Sequence, residues 1–507
     1  MTFRLELTSE HLLRLYQWLL GVVAGLVALY MVTLPVSVAW KVGGLVALGA
    51  GLWTAMRRVP AMRDAGVFAP VVVNGWAVVA LVLFLALSHS RLYHGEAFLG
   101  DWAKHRSVLL SLYQDPWEPR ATGFLFDERE PDAPIPALYR LNYYYLPYLP
   151  AVVAATPLRW FLPDYAPDAT AQVLAGLVSV SSLLLLLWAV VLMLGAVPQL
   201  WRGAPRPLSE RAASLTLLLL PMWGGGEFFL EWVRRGEIPR IGPHYDGVFY
   251  SFFPFQVQNA VSLWNWVPSQ LAAAAVGLAL FLPFVRAVDR APWALLVALL
   301  MGGVPFALFG LGAVAFLAVL QFQERYRWSW LRSEGLPFAL QLGLATVVGL
   351  QALAFFAGKT LQDGFSNILS VNNNIANFAI SVGREYVLIA VVLAGLAWRG
   401  RLTWWAAGGF LILLLGMSFV YLGHLNPWGL KTTIPVTLLM PFAVVALTSA
   451  LPSRSGRVAF VTLVLVYLTP SFVYETFFAW NDGSNQVVLE KTKWIVDQYL
   501  GLPKDTE

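Results

Sequence analysis

The sequence predicts an all-α polytopic membrane protein of about 13 transmembrane helices, with external amphipathic juxtamembrane helices. Three observations carry that expectation. Hydrophobic residues make up 58% of the 507-residue chain and charged residues 12%, with a mean hydropathy of +0.64; a soluble domain needs about a quarter of its residues charged to cover its surface. The apolar residues gather in runs approaching the ~20 residues that cross a ~30 Å hydrocarbon core. Arginines recur in every second connection between those runs, as the positive-inside rule requires. The chain has no cysteine, which excludes a disulfide framework, an iron–sulfur cluster and thiolate zinc sites. Its net charge of +5 is read as topology, because no basic run resembles a nucleic-acid arm, and no nucleic-acid partner is expected.

At the amino terminus, Arg4, Glu6, Glu10 and Arg14 precede about 19 apolar residues. The segment lacks the short core and small-residue cleavage site of a secretory signal, so it reads as a retained first helix. Spans are predicted at 16–34, 36–56, 68–87, 171–195, 213–222, 268–285, 291–302, 304–320, 336–356, 386–398, 403–422, 433–450 and 458–473. The runs 213–222, 291–302 and 386–398 are short, and Gly302, Gly303 and Pro305 divide 291–320 into two helices. Residues 1–67 thus form an N-terminal helix pair and 68–473 a transmembrane core carrying an external loop, 88–170. Residues 474–507 form an external C-terminal tail, in which 487–500 suits an amphipathic helix.

With the N-terminus cytoplasmic, the inner connections carry Arg57, Arg58 and Arg63; Arg202, Arg206 and Arg211; Arg286 and Arg290; Arg325, Arg327 and Arg332; Arg399 and Arg401; and Arg454 and Arg457. Together with the N-terminal segment they hold 17 of the 34 Lys and Arg but only 7 of the 29 acids, so the bias fixes the orientation. The run 144–161 is apolar enough to suggest another span, but crossing there would put the Arg202, Arg206 and Arg211 loop outside. It is therefore expected to lie in the interface or dip into it.

The polar chemistry collects on the external side. Lys41 is the one charged residue inside the predicted spans, whereas 22 of the 29 acids and five of the six histidines (His89, His94, His105, His244 and His424) fall outside. Ion-coupled transporters need ionisable groups within the bilayer, so this distribution disfavours that class. The most informative stretch is Gly100-Asp101-Trp102-Ala103-Lys104-His105, opening a predicted helix over 101–114. Spacings of three and four place Asp101, Lys104 and His105 on one face. In one interpretation Asp101 is a general base or metal ligand, with Lys104 or His105 facing an anionic substrate. In the other, Asp101 caps the helix and pairs with Lys104.

An external loop opening with an Asp after a transmembrane helix, followed by amphipathic helices and a Tyr/Pro-rich return, resembles the GT-C glycosyltransferases. That superfamily includes protein O-mannosyltransferases and lipid A aminoarabinose transferases. The matching elements are Asp101 and the stretch Asn142-Tyr143-Tyr144-Tyr145-Leu146-Pro147-Tyr148-Leu149-Pro150-Ala151. Further likeness lies in Gly224-Gly225-Gly226-Glu227 through Glu231-Trp232, in Asn265-Trp266-Val267-Pro268, and in Asn426-Pro427-Trp428-Gly429-Leu430-Lys431. Together they cover most of residues 68–450 in order. Span 68–87 then corresponds to the first core helix of the family and 171–195 to the second.

The resemblance implies a polyprenyl-phosphate sugar donor drawn from the membrane lipid of a bacterial inner (plasma) membrane. It also implies an extracytoplasmic acceptor of unspecified kind (glycan, lipid or protein) and inversion at the anomeric carbon with Asp101 as base. Lys431, Lys104, His105, Arg384 and His244 are candidates to meet the leaving phosphate, where cations matter more than an acid. Relatives carry Arg in place of Lys431, and an ammonium answers phosphate as a point charge instead of a fork. Many members pair acids in the first loop and bind a divalent metal such as Mg or Mn; here Trp102 follows Asp101, so the adjacent acid is missing.

Secondary candidates keep two readings each. Glu227 and Glu231, four apart, supply a second carboxylate or sit solvated at the surface. His244 and Asp246 flank Tyr245 as a pair of metal ligands lacking a third. His424 and Asn426 line the phosphate pocket or cap a turn. Tyr143, Tyr144 and their neighbours to Tyr148, with Trp102 and Trp117, stack on a sugar or anchor at the interface. Gly358-Lys359-Thr360 ends like a P-loop, but Leu353 occupies the first glycine position and the site is external. Two other classes stay open: a lipid or solute transporter or flippase without covalent chemistry, and a non-catalytic GT-C-like scaffold.

Overall fold

The computed structural model describes residues 3–34, 36–88, 101–114, 120–121, 139–140, 145–157, 167–202, 207–224, 233, 260, 263–264, 268–326, 328–356, 365–367, 375–422 and 431–481. Among the described residues, five helices are long and apolar enough to cross a membrane: Ser9–Thr33, Val38–Asp64, Ala169–Leu200, Ser333–Ala352 and Arg454–Val473. The chain is a helical integral membrane protein. Its first elements are β1 (Arg4–Leu7), α1 (Ser9–Thr33), α2 (Val38–Met56), α3 (Val59–Asp64), β2 (Val71–Asn74) and α4 (Gly75–Ser88). Then come α5 (Asp101–Gln114), β3 (Arg120–Ala121), β4 (Tyr139–Arg140), α6 (Leu149–Ala155), α7 (Pro167–Ala196) and α8 (Glu210–Met222). The second half holds α9 (Pro268–Phe281), α10 (Trp293–Gly303), α11 (Ala307–Gln321), α12 (Trp328–Phe356) and β5 (Phe365–Asn367). It ends with α13 (Ile375–Trp398), α14 (Trp404–Ser418), β6 (Val420–Leu422), α15 (Ile434–Ala450) and α16 (Arg454–Asn481).

Helix starts follow ordinary capping chemistry. The Thr8 hydroxyl accepts from His11 N while His11 Nδ1 accepts from Thr8 N, a reciprocal cap on α1. Ser209 and Thr403 cap α8 and α14 from one side only, accepting from the backbone N of Ala212 and Ala406. The core forms around α9, whose 14 residues are all buried. A helix apolar on every side belongs inside, and its run of alanines lets α7 and α10 approach closely. Beside it, α15 packs against α8, α9, α11 and α13.

The arginine-bearing connections meet on one face and are stitched together there. Arg202 N donates to Arg401 O at 2.8 Å, Gln321 Nε2 to the same carbonyl at 2.8 Å, and Arg399 Nε to Ala450 O at 2.8 Å. Gln199 Nε2 reaches Gly66 O at 3.1 Å, and Arg286 Nε reaches Gln199 O at 3.2 Å. Buried Asp289 lies 3.5 Å from Arg325 and 3.9 Å from Arg290, which itself pairs with Glu334 at 2.8 Å. Tyr326, beside this cluster, accepts from Val288 N, and burial pushes its phenol above the ordinary range. The N-terminal strand returns to this face as well: β1 pairs antiparallel with β2, and Arg4 bridges to Glu210 at 2.9 Å.

Three expectations are amended. The predicted span 68–87 begins as strand β2, so its helix is α4, Gly75–Ser88; three consecutive β-branched valines pair with β1 instead of extending the helix. The run 403–422 ends its helix at Ser418, and residues 420–422 pair with β5. The run 386–398 belongs to a longer helix starting at Ile375, which carries Glu385 at 2% exposure. The chain body therefore holds a buried carboxyl in addition to Lys41, whose ammonium donates to Val32 O at 2.7 Å.

The run 144–161, expected to lie in the interface or dip into it, packs into the bundle over Tyr145–Ala155, with Tyr145, Ala151 and Ala155 fully buried. The reason is the α10–α11 hairpin. Eleven residues of α10 rise only about 16 Å, roughly half of the hydrocarbon thickness. The space beyond its tip is filled from the other side. Gly302 and Gly303 make the fit: a Cβ on Gly302 would fall 2.8 Å from the Tyr30 ring and 3.0 Å from Leu146, and one on Gly303 would fall 3.4 Å from Pro147.

Candidate functional site

Among the described residues, helix α5 and this inserted segment bring a buried polar pair together. Val108, Leu109, Leu112 and Tyr113 are buried, and α5 packs on α6 and α7. That apolar seat fixes how α5 is rotated. Asp101 opens the helix and His105 follows one turn later on the same face. His105 is 1% exposed and Tyr148 2%; the Tyr148 hydroxyl lies 2.5 Å from His105 Nδ1, with the rings 5.7 Å apart.

The segment bearing Tyr148 is itself anchored to α1. The Tyr145 hydroxyl lies 3.2 Å from Thr33 Oγ1, which donates to Tyr30 O at 2.9 Å, so Tyr145 is the donor of the pair. The Tyr30 and Tyr145 rings meet edge to face at 5.0 Å. The Tyr30 hydroxyl is buried and makes no hydrogen bond among the described residues. Beneath the segment, Val23, Leu146, Pro147, Pro150, Ser182 and Ser269 line an apolar crevice of about 20 Å³. That volume is water-sized, too small for a larger ligand.

The structure unites two of the sequence candidates only in part. Asp101 and Lys104 lie on α5, but their side chains are outside the described residues, as is that of Arg384 on α13. Tyr143, Tyr144, Glu227, Glu231, His244, Asp246, His424 and Asn426 also lie outside the described residues, and with them the candidate metal pair. Lys431, partly buried, opens the turn leading into α15. That turn abuts α11: a Cβ on Gly310 would meet Thr432 O and Pro435. The His105–Tyr148 pair and the Lys431 turn thus rest on opposite arms of one hairpin, α10 and α11.

Sequence reasoning missed Tyr148 as the partner of His105, and Glu385 as a buried carboxyl. Tyr148 was treated as one of several interface aromatics, because nothing in a local pattern links it to a histidine 43 residues away. Glu385 was passed over because it borders the apolar run. It neighbours Tyr386, whose hydroxyl lies 3.2 Å from Ser418 Oγ, and it acts electrostatically on Tyr386 and Tyr467. Comparison of the chain with family models, with characterised proteins and with solved structures returns no match.

Proposed function

We propose that the chain is a membrane-embedded, inverting glycosyltransferase of the GT-C type. It moves a sugar from a polyprenyl-phosphate donor to an extracytoplasmic acceptor. In this reading 13 spans carry the chain through a bacterial inner membrane, the arginine face is cytoplasmic, and residues 68–473 are the catalytic core. The observation that carries it is the buried seat of α5 against the re-entrant segment, which holds the turn containing Asp101 at the opposite face. The Asp101 carboxylate removes the proton from the acceptor hydroxyl or amine as that atom bonds to the anomeric carbon. The bond from the anomeric carbon to the phosphate oxygen breaks, and its electron pair leaves with the polyprenyl phosphate. Lys431, Lys104 and Arg384 are the cations available to meet that charge. Tyr143, Tyr144, Glu227, Glu231, His244, Asp246, His424 and Asn426 are assigned to sugar and acceptor, and His244 with Asp246 would help hold a divalent metal if one is bound.

Co-purified lipid identified by mass spectrometry, followed by a transfer assay with that lipid in proteoliposomes, tests the reading. Asp101→Asn is expected to lower turnover at least about 100-fold with expression unchanged; full activity in that variant removes the base. Glu385 favours a second reading, a lipid or solute transporter, since ionisable groups inside the bilayer mark translocation paths. Movement of the lipid across the bilayer without a covalent product selects that reading.

A further inference from the structure

The contact between Tyr148 and His105 has a direction set by the two groups' chemistry. The Tyr148 backbone is held by the bundle, independently of α5. Its N–H bonds to Tyr145 O at 2.9 Å, Tyr145 is tied to Thr33, and Leu146 and Pro147 are wedged against Gly302 and Gly303. A phenol keeps its proton at neutral pH and donates well, whereas its oxygen accepts poorly because its lone pair is shared with the ring. An imidazole nitrogen is the stronger acceptor. The Tyr148 O–H therefore donates to Nδ1, and the ring proton of the neutral histidine resides on Nε2. Side chains on a helix lean toward its N-terminus, and the turn on that side of His105 begins with Asp101.

We infer that Tyr148 is a positioning residue: by donating to Nδ1 it locks His105 in the Nε2–H tautomer, so that a fixed donor faces the turn carrying the base. The catalytic half of this inference rests on the transferase reading above; the tautomer lock does not. His105 Nε2 is itself buried, and a donor held there in one direction can orient a carboxylate that closes on it for proton transfer. His105 thereby becomes the link between the re-entrant segment and the base, in place of a phosphate contact.

The test is nitrogen NMR of the full-length protein in nanodiscs, with ¹⁵N-labelled histidine and the His105 signals assigned by their loss in His105→Gln. Wild-type His105 is expected to show a bare Nδ1 and a protonated Nε2 at pH 8. Tyr148→Phe is expected to give averaged tautomers, while Tyr145→Phe, which loosens the same segment at another anchor, leaves the pattern unchanged. In the transfer assay, Tyr148→Phe is expected to lower kcat about ten-fold with KM unchanged, the worth of one hydrogen bond, and to shift the acid limb of the pH profile. A protonated Nδ1 or averaged tautomers in the wild type overturns the lock without recourse to any variant. A locked tautomer with an unchanged kcat and pH profile in Tyr148→Phe overturns the positioning role. A locked tautomer with no wild-type turnover overturns the transferase reading, and the catalytic half with it.

Discussion

Gly310 and Gly312 sit two residues apart on α11 and should answer the same substitution in opposite ways. A Cβ on Gly310 would lie 1.9 Å from the carbonyl oxygen of Thr432 and 2.8 Å from Pro435 Cδ. Both obstacles are backbone or ring, so neither rotates away, and α11 and the start of α15 have to separate by about 1 Å before contact becomes tolerable. Such overpacking costs about 1–3 kcal/mol. At Gly312 nothing lies within 4 Å, so alanine there gains the ordinary helix preference, about 0.5–1 kcal/mol. Fluorescence-detected size exclusion after heating measures both, as the temperature at which half of the monodisperse protein is lost. Gly310→Ala is expected several degrees below wild type and Gly312→Ala at or above it. Because Lys431 precedes the displaced carbonyl by one residue, Gly310→Ala should also depress turnover about 100-fold, the effect of a ~1 Å misplacement. Equal melting of the two variants would refute the close approach of α11 to the Lys431 turn.

Other consequences follow from the same geometry. Arg325→Met leaves buried Asp289 with Arg290 at 3.9 Å as its remaining ion-pair partner, so it should lower thermal stability, and adding Asp289→Asn should restore most of the loss; a double variant worse than Arg325→Met in thermal unfolding contradicts the pairing. Lys431→Ala should raise the KM for the lipid donor about ten- to 100-fold through loss of a charge-assisted contact, with Lys431→Arg near wild type; equal KM values in steady-state kinetics remove Lys431 from the phosphate site.

Most of the helical framework was legible because an apolar run is both the cause of membrane insertion and its signature. Helices α1, α2, α7, α9 and α15 fall within a few residues of the predicted spans at 16–34, 36–56, 171–195, 268–285 and 433–450, apart from the start of α1, which begins at its Thr8 cap. Hydropathy cannot tell a strand from a helix over a short valine run, so β2 was hidden inside a predicted span; its pairing with β1 joins residues about 67 positions apart. Glu385 and Arg384 ended the predicted run 386–398, yet charged residues are good helix formers and α13 continues through them to Ile375. The apolar character of 144–161 is plain in the sequence, as are the tip glycines of 291–320. That one fills the space left by the other depends on the length of α10, which only the packing reveals. The site was legible as a face of α5 through the three- and four-residue spacings. Its buried partner Tyr148 was not, because the contact is set by tertiary structure alone.

Sidedness decides whether this chemistry has access to a lipid-linked donor, and the chain lends itself to testing it because it has no native cysteine. Single cysteines at exposed Ser37, before the start of α2, at Trp102 beside the candidate base, and at exposed Ser455 on the arginine face can be probed with a membrane-impermeant maleimide on right-side-out vesicles. Labelling of Ser37→Cys and Trp102→Cys before lysis, with Ser455→Cys reacting only after it, is the predicted result. Labelling of Ser455→Cys before lysis with Trp102→Cys protected until after it would place the site in the cytosol and contradict the account.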